Sequence, residues 1–288
     1  MPAASANGIT IEYETFGDPA DPTVLLIMGF NAQLTLWDET FCTALAERGF
    51  HVIRYDNRDV GLSSWLDDAG EPGLLDLLSG TAVAPYSLVD MAGDAVGLLD
   101  AVDVSTAHVV GVSMGGMIAQ TVALEHPDRL RTLTSVMSTT GDPTVGQANP
   151  DALAALVPVP PASREEAMEQ GVVMWKTIGS PGFPFDEDAV RERAGAAYDR
   201  AFHPAGAVRQ LAAIVTQPDR TPALGSVAVP TLVIHGADDP LIAVSGGEAT
   251  AAAIPGARLL VVPGMGHDMP EALSGRLVDE LAGHFSLA

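Results

Sequence analysis

The run Ala107-His108-Val109-Val110-Gly111-Val112-Ser113-Met114-Gly115-Gly116 constrains this chain more than any other stretch. Mostly apolar residues lead into Gly111, and Met117 to Leu124 continue as an apolar helical stretch ending near His126-Pro127. This predicts a buried strand that turns sharply into a helix, with Ser113 at the turn. So tight a turn leaves no room for side chains two residues away on either side, which Gly111 and Gly115 provide. With 29 glycines in 288 residues, Gly-x-Ser-x-Gly spacing alone carries little. Strand, turn and helix in the right order make it the sequence form of a nucleophile elbow.

Such a turn needs a sheet around it. Ile9, Ile11 and Tyr13 alternate with polar residues as an edge strand does, whereas Val24 to Met28 is continuously apolar, like a strand covered on both faces. His51 to Tyr55 follows a helix candidate at Phe41 to Arg48, and Ser87 with Asp90 has capping-box spacing before the stripe Leu88, Met91, Ala95 and Leu99. Later strands are predicted at Leu133 to Met137, Thr231 to His235 and Leu259 to Val262, with a closing helix from Glu271 to Phe285. The alternation specifies an α/β fold, a mostly parallel doubly wound sheet that begins antiparallel. Between Met137 and Thr231 about ninety residues intervene, far beyond an ordinary connection. A helical cap is therefore expected at 141–226, with the core at 1–140 and 227–288. Gly141-Asp142-Pro143 and Asn149-Pro150 mark its entry, and Pro218, Pro222 and Pro230 its return. Met168, Val172, Trp175 and Ile178 fall at helical spacing inside it. Trp175 is a candidate for a substrate-pocket wall, beside its plainer reading as glue between cap and core.

A serine hydroxyl needs a general base, and the base needs a carboxylate to fix its tautomer. Among seven histidines, His51 and His108 start strands, His126 ends a helix, His203 lies in the cap and His284 in the last helix. His267 differs, because Gly264-Met265-Gly266-His267 is a turn at the carboxyl edge of the sheet, where catalytic groups gather. The acid is expected after the preceding strand, where His235-Gly236-Ala237-Asp238-Asp239-Pro240 offers two aspartates. Counting from the strand end favours Asp239; Asp238 is the alternative and Asp142 a distant third, each also readable as a turn former. The oxyanion requires two backbone donors, and these are expected at Met114 and at Phe30 in Met28-Gly29-Phe30-Asn31. Phe30, Asn31 and Met114 are pocket candidates for the same reason. Asp56-Asn57-Arg58-Asp59 reads as a loop held together by mutual pairing.

Composition narrows the partners. With 37 acidic against 14 basic residues and a net charge of -23, the chain is expected to repel nucleic acid and anionic membrane surfaces, and the partner expected from the serine chemistry is a small-molecule ester substrate. Residues 1–8 lack a basic start and an apolar run, and the apolar stretches are far below spanning length, so a soluble, cytoplasmic protein is expected. Cys42 is the single cysteine, which rules out an internal disulfide and reads as a packing residue. No residue cluster has metal-ligand spacing, no Gly-x-Gly-x-x-Gly opens a helix, and Gly246-Gly247 lacks a phosphate-loop lysine. Neither metal nor other cofactor is expected. The sequence carries no signal for an oligomeric state.

Phe16 to Pro22, the Met28-Gly29 loop, Arg54 to Asp59, the elbow, His235 to Pro240 and Pro263 to His267 together resemble the α/β-hydrolase family. The likeness is specifically to the aclacinomycin methylesterase group of carboxylesterases, over nearly the whole chain and weakest in the cap. The resemblance implies Ser113, Asp239 and His267 as a catalytic triad and supports the Phe30 and Met114 amides as oxyanion donors. Phe30 stands where that group resembles a smaller glycine. The expected activity is that of a serine carboxylesterase, acting through an acyl-enzyme on a small to medium, largely apolar ester. A carbon–carbon bond hydrolase, a lactonase or a cofactor-free perhydrolase would use the same triad, whereas a receptor without turnover shares only the fold. An imidazole base works only when neutral, so activity is expected to fall in acid.

Overall fold

The computed structural model describes residues 2–79, 81–157 and 159–288. The chain opens with β1 (Ala3–Ala6) and β2 (Ile9–Phe16), paired antiparallel. Strands and helices then alternate as β3 (Thr23–Ile27), α1 (Glu39–Ala46), β4 (His51–Tyr55), α2 (Leu74–Ser79), α3 (Leu88–Ala101), β5 (Ala107–Val112), α4 (Met114–Glu125) and β6 (Leu130–Val136). An all-helical insertion follows: α5 (Pro150–Ala155), α6 (Arg164–Ile178), α7 (Glu187–Arg200), α8 (Pro204–Val215) and α9 (Thr221–Leu224). The chain closes through β7 (Thr231–Gly236), α10 (Ser245–Ala253), β8 (Arg258–Val262) and α11 (Glu271–Phe285).

The strands form one sheet in the order β1-β2-β4-β3-β5-β6-β7-β8. It is antiparallel through the β2–β4 pair and parallel from β4 to β8. Every residue of β3, β4, β5 and β7 is buried, because helices cover both faces. Successive side chains point to opposite faces, so Leu25, Ile27, Ile53 and Val109 join a core with α3 and α4. Val24, Leu26, Val52 and Val110 join the other core with α1 and α11. The strand order reverses between β3 and β5. Loops leaving their carboxyl ends diverge there and open a crevice.

Local signals placed most elements. Ser87 and Asp90 form both bonds of the capping box, with Asp90 Oδ2 accepting from Ser87 N–H at 2.8 Å, and α11 spans the expected residues. β6 begins at Leu130, ahead of the expected Leu133, because Thr132 and Thr134 are buried despite their polarity and Thr132 bonds His108 at 3.0 Å. The 56–59 loop corrects its sequence reading. Its charges do not pair with one another but with distant elements: Asp56 with Arg200 at 2.8 Å, Arg58 with Asp94 at 2.6 Å, and Asp59 with Arg209 at 2.7 Å. A four-residue turn cannot bury that many charges unless other elements supply the partners. Cys42 is buried, and burial pushes its thiol up to about 12. No helix among the described residues is long and apolar enough to cross a membrane.

Candidate active site

Ser113 sits between β5 and α4 with φ 56° and ψ -120°, a left-handed backbone that costs a non-glycine residue energy and marks a constrained turn. The turn is possible because a Cβ at Gly111 would lie 2.0 Å from the Gly115 carbonyl oxygen, and one at Gly115 would lie 2.1 Å from that of Ile27. Ser113 N–H donates to Val136 at 2.9 Å, and Ser138 Oγ donates to the Ser113 carbonyl at 2.8 Å. The serine is thus fixed from β6, the neighbouring strand.

His267 follows β8 in the expected turn, with Nε2 3.0 Å from Ser113 Oγ and Nδ1 2.8 Å from Asp239 Oδ2. The other oxygen of Asp239 accepts the Leu241 and Ile242 amides, each at 2.9 Å, so the carboxylate cannot rotate freely. Asp238, one residue earlier, turns away: it is exposed and accepts Gly264 N–H at 2.8 Å. Asp142 lines the cavity described below and accepts the Thr144 amide at 2.8 Å. Ser113, His267 and Asp239 are therefore the three expected residues that come together in one hydrogen-bonded chain.

The Met28–Asn31 loop leaves β3 beside them. A Cβ at Gly29 would meet Ser113 Cβ at 3.2 Å, so glycine lets this backbone approach the serine. Met114 N–H belongs to the first residue of α4, where helix geometry leaves amides without an intrahelical acceptor and concentrates positive partial charge. The Asn31 amide is taken by Gln210 Oε1 at 2.8 Å. Phe30, the residue before it, lines the same cavity as Ser113.

Two neighbours escaped the sequence reading. His235, wholly buried behind Asp239, places Nε2 2.7 Å from the Ile242 carbonyl and 3.6 Å from Asp239 Oδ2, so that nitrogen carries the proton. Burial holds its imidazole below the ordinary range and therefore neutral. Its position four residues before Asp239 was a readable signal. Asp268 bonds Ser180 Oγ, and burial raises its carboxyl above the usual range. Ser180 Oγ also accepts Gly266 N–H at 2.8 Å, and His267 N–H donates to Ile178 at 2.7 Å. The end of α6 thereby braces the histidine turn.

Above these residues lies a cavity of about 790 Å³, lined from the sheet edge by Gly29, Phe30, Asn31, Ser113, Met114 and His267. The insertion supplies its other walls, including Met174 and Trp175 of α6, Tyr198 of α7 and Phe183 between them. Trp175 lines the cavity and also packs on the core. Among the described residues no group of three or more His, Cys, Asp and Glu side chains is arranged to hold a metal ion.

Residues 22–172 match the family model described as alpha/beta hydrolase fold, and residues 208–283 match that of TAP-like proteins. Rhodomycin D methylesterase DauP of Streptomyces sp. (strain C5) is 34% identical, over 96% of this chain and 95% of that protein. The chain belongs to the α/β-hydrolase family. This α/β-hydrolase is also similar to 3-oxoadipate enol-lactonase 2 of Acinetobacter baylyi, at 27% identity over 85% of the hydrolase and 81% of the relative. Among solved structures, the enol-lactonase from Burkholderia xenovorans LB400 matches the hydrolase with a TM-score of 0.77 and 23% identity, covering 99% of it and 100% of that chain. That likeness is one of fold. The hydrolase therefore sits in a methylesterase-like group by sequence.

Proposed function

We propose that this chain is a carboxylic ester hydrolase in which Ser113, His267 and Asp239 act as nucleophile, general base and orienting acid. The observation that carries the reading is the continuous hydrogen-bonded chain from Ser113 Oγ through His267 to Asp239, opening into the cavity. Ser113 Oγ attacks the ester carbonyl carbon while its proton passes to His267 Nε2, and Asp239 steadies the imidazolium through Nδ1–H. The Phe30 and Met114 amides meet the oxyanion. Collapse breaks the carbon–oxygen bond, and the alcohol leaves with the proton from Nε2. Water then gives a proton to His267 and attacks the acyl-serine, which releases the acid and restores the serine.

The inserted helices act as a cap that shapes the substrate. A cavity of about 790 Å³ lies well within the range that holds drug-sized molecules. Its Met, Trp, Phe and Tyr walls favour a bulky, largely apolar acid portion, and the methylesterase relatives favour a small alcohol on the other side. A lactonase reading is supported by the enol-lactonase relative and differs only in that acid and alcohol leave as one molecule.

Hydrolysis of p-nitrophenyl esters and of methyl esters of bulky aromatic acids, by wild type and Ser113→Ala, tests the proposal. Wild-type turnover that falls at least about 10³-fold in the variant is expected. Equal rates in the two proteins, or no hydrolysis of any ester or lactone by wild type, defeat it.

A further inference from the structure

The loop that carries Phe30 is held by side chains from outside it. Three successive peptide planes run from Met28 to Asn31. Asn57 Nδ2 donates to the Met28 carbonyl at 2.9 Å and so fixes the first. Gln210 Oε1 accepts the Asn31 N–H at 2.8 Å and so fixes the third, where Asn31 has a left-handed φ of 52°. The middle plane, whose N–H is that of Phe30, has only a long contact of its own, Ala32 N–H to the Gly29 carbonyl at 3.4 Å, and is otherwise set by the two on either side.

Gln210 belongs to α8 of the insertion and is 0% exposed. Its other end is committed too, because Nε2 donates to the Arg58 carbonyl at 2.8 Å. The carboxamide therefore bridges the loops that follow β3 and β4. α8 is held at the depth this requires. A Cβ at Gly206 would lie 2.0 Å from the Asp59 carbonyl oxygen, and Arg209 grips the Asp59 carboxylate through Nε at 2.8 Å and Nη2 at 2.7 Å.

Resting on the esterase reading above, we propose that Gln210 is a positioning residue for the oxyanion hole. Through the Asn31 amide it orients the Phe30 N–H, so the insertion completes the catalytic centre as well as shaping the substrate. An oxyanion exists only after attack, so loss of this bond acts on the transition state and spares ground-state binding.

The full chain is compared with Gln210→Ala and with Gln210→Met, which keeps the volume, using p-nitrophenyl butyrate and an alkyl boronic acid as a mimic of the tetrahedral adduct. Removing an oxyanion donor costs about 10²–10³ in kcat, so misplacing one is expected to cost roughly 10-fold to 100-fold, with KM within about twofold. Boronic-acid affinity should weaken by the same factor as kcat. A kcat within about twofold of wild type in a folded variant overturns the proposal. So does a loss confined to KM, or one that leaves boronic-acid affinity unchanged. Should neither variant fold, amide hydrogen exchange of the wild type decides: protection of the Asn31 N–H comparable with β3 supports the bond, and exchange at the rate of an open loop overturns it. Wild type inactive on every ester removes the esterase reading and this one with it, whereas active wild type with unaltered variants removes this one alone.

Discussion

At the residue scale, the two adjacent aspartates differ in what each carboxylate touches. Asp239 reaches the His267 imidazole, while Asp238 braces the Gly264 amide from an exposed position. Asp239→Asn keeps an acceptor for the Leu241 and Ile242 amides, yet it removes the negative charge that balances an imidazolium and permits the wrong tautomer. Its kcat is expected to fall by about 10²–10⁴, with little change in melting temperature. Asp238→Asn should leave kcat within about threefold. Steady-state kinetics of the two variants check this, and a larger loss from Asp238→Asn would transfer the role. His235 bears on the same point: buried, neutral and donating to the Ile242 carbonyl, it leaves the Asp239 oxygen that faces His267 to that residue's Nδ1.

At the scale of elements, strands and their turns were readable because their information is local. β7 and α4 announce themselves by short apolar runs bounded by turn residues and α11 by its spacing, and Ser113, Asp239 and His267 each sit in a turn next to a strand end. The inserted helices were legible as helices, but not the contacts that fix them. Arg209 and Gln210 find their partners Asp59 and Asn31 150 and 179 residues away, and nothing in the periodicity of α8 marks an arginine that will be 1% exposed. That pairing yields a prediction about how the insertion is anchored. Arg209→Met keeps most of the volume but leaves the Asp59 carboxylate buried without its cation, which should destabilise the fold by about 3–5 kcal/mol. Adding Asp59→Asn removes the stranded charge while keeping an acceptor for the Leu66 amide, so the double variant should recover part of the loss. Urea unfolding measures both. A double variant as unstable as the sum of its singles would mean that the two residues act independently.

At the scale of the whole molecule, the two ends of the sheet carry different titrating groups. The carboxyl end holds His267, and the opposite end buries His51 against Thr23, His108 among the Phe50 and Phe285 rings, and His284 against the Leu133 carbonyl. Burial, with help from Arg131 and His284, pushes the His108 imidazole down to about 4. In the unfolded chain the ordinary value is about 6.5. Below that pH the unfolded chain takes up a proton that the folded protein refuses. The stability contributed by a neutral His108 is thus fully present above about 6.5 and is lost as pH falls towards about 4. Other groups move the opposite way. Asp56 and Asp94 are raised by burial, and a net charge of -23 makes acid relieve repulsion, so the wild-type melting curve alone is a sum of opposed effects. Comparison with His108→Gln isolates the histidine, since glutamine does not titrate and can still bond Thr132, the partner of His108 Nδ1 at 3.0 Å. Relative to this variant, wild type should lose melting temperature steadily between about pH 6.5 and pH 4.5. Melting curves that stay parallel across that interval would show that His108 is protonated alike in the folded and unfolded chains.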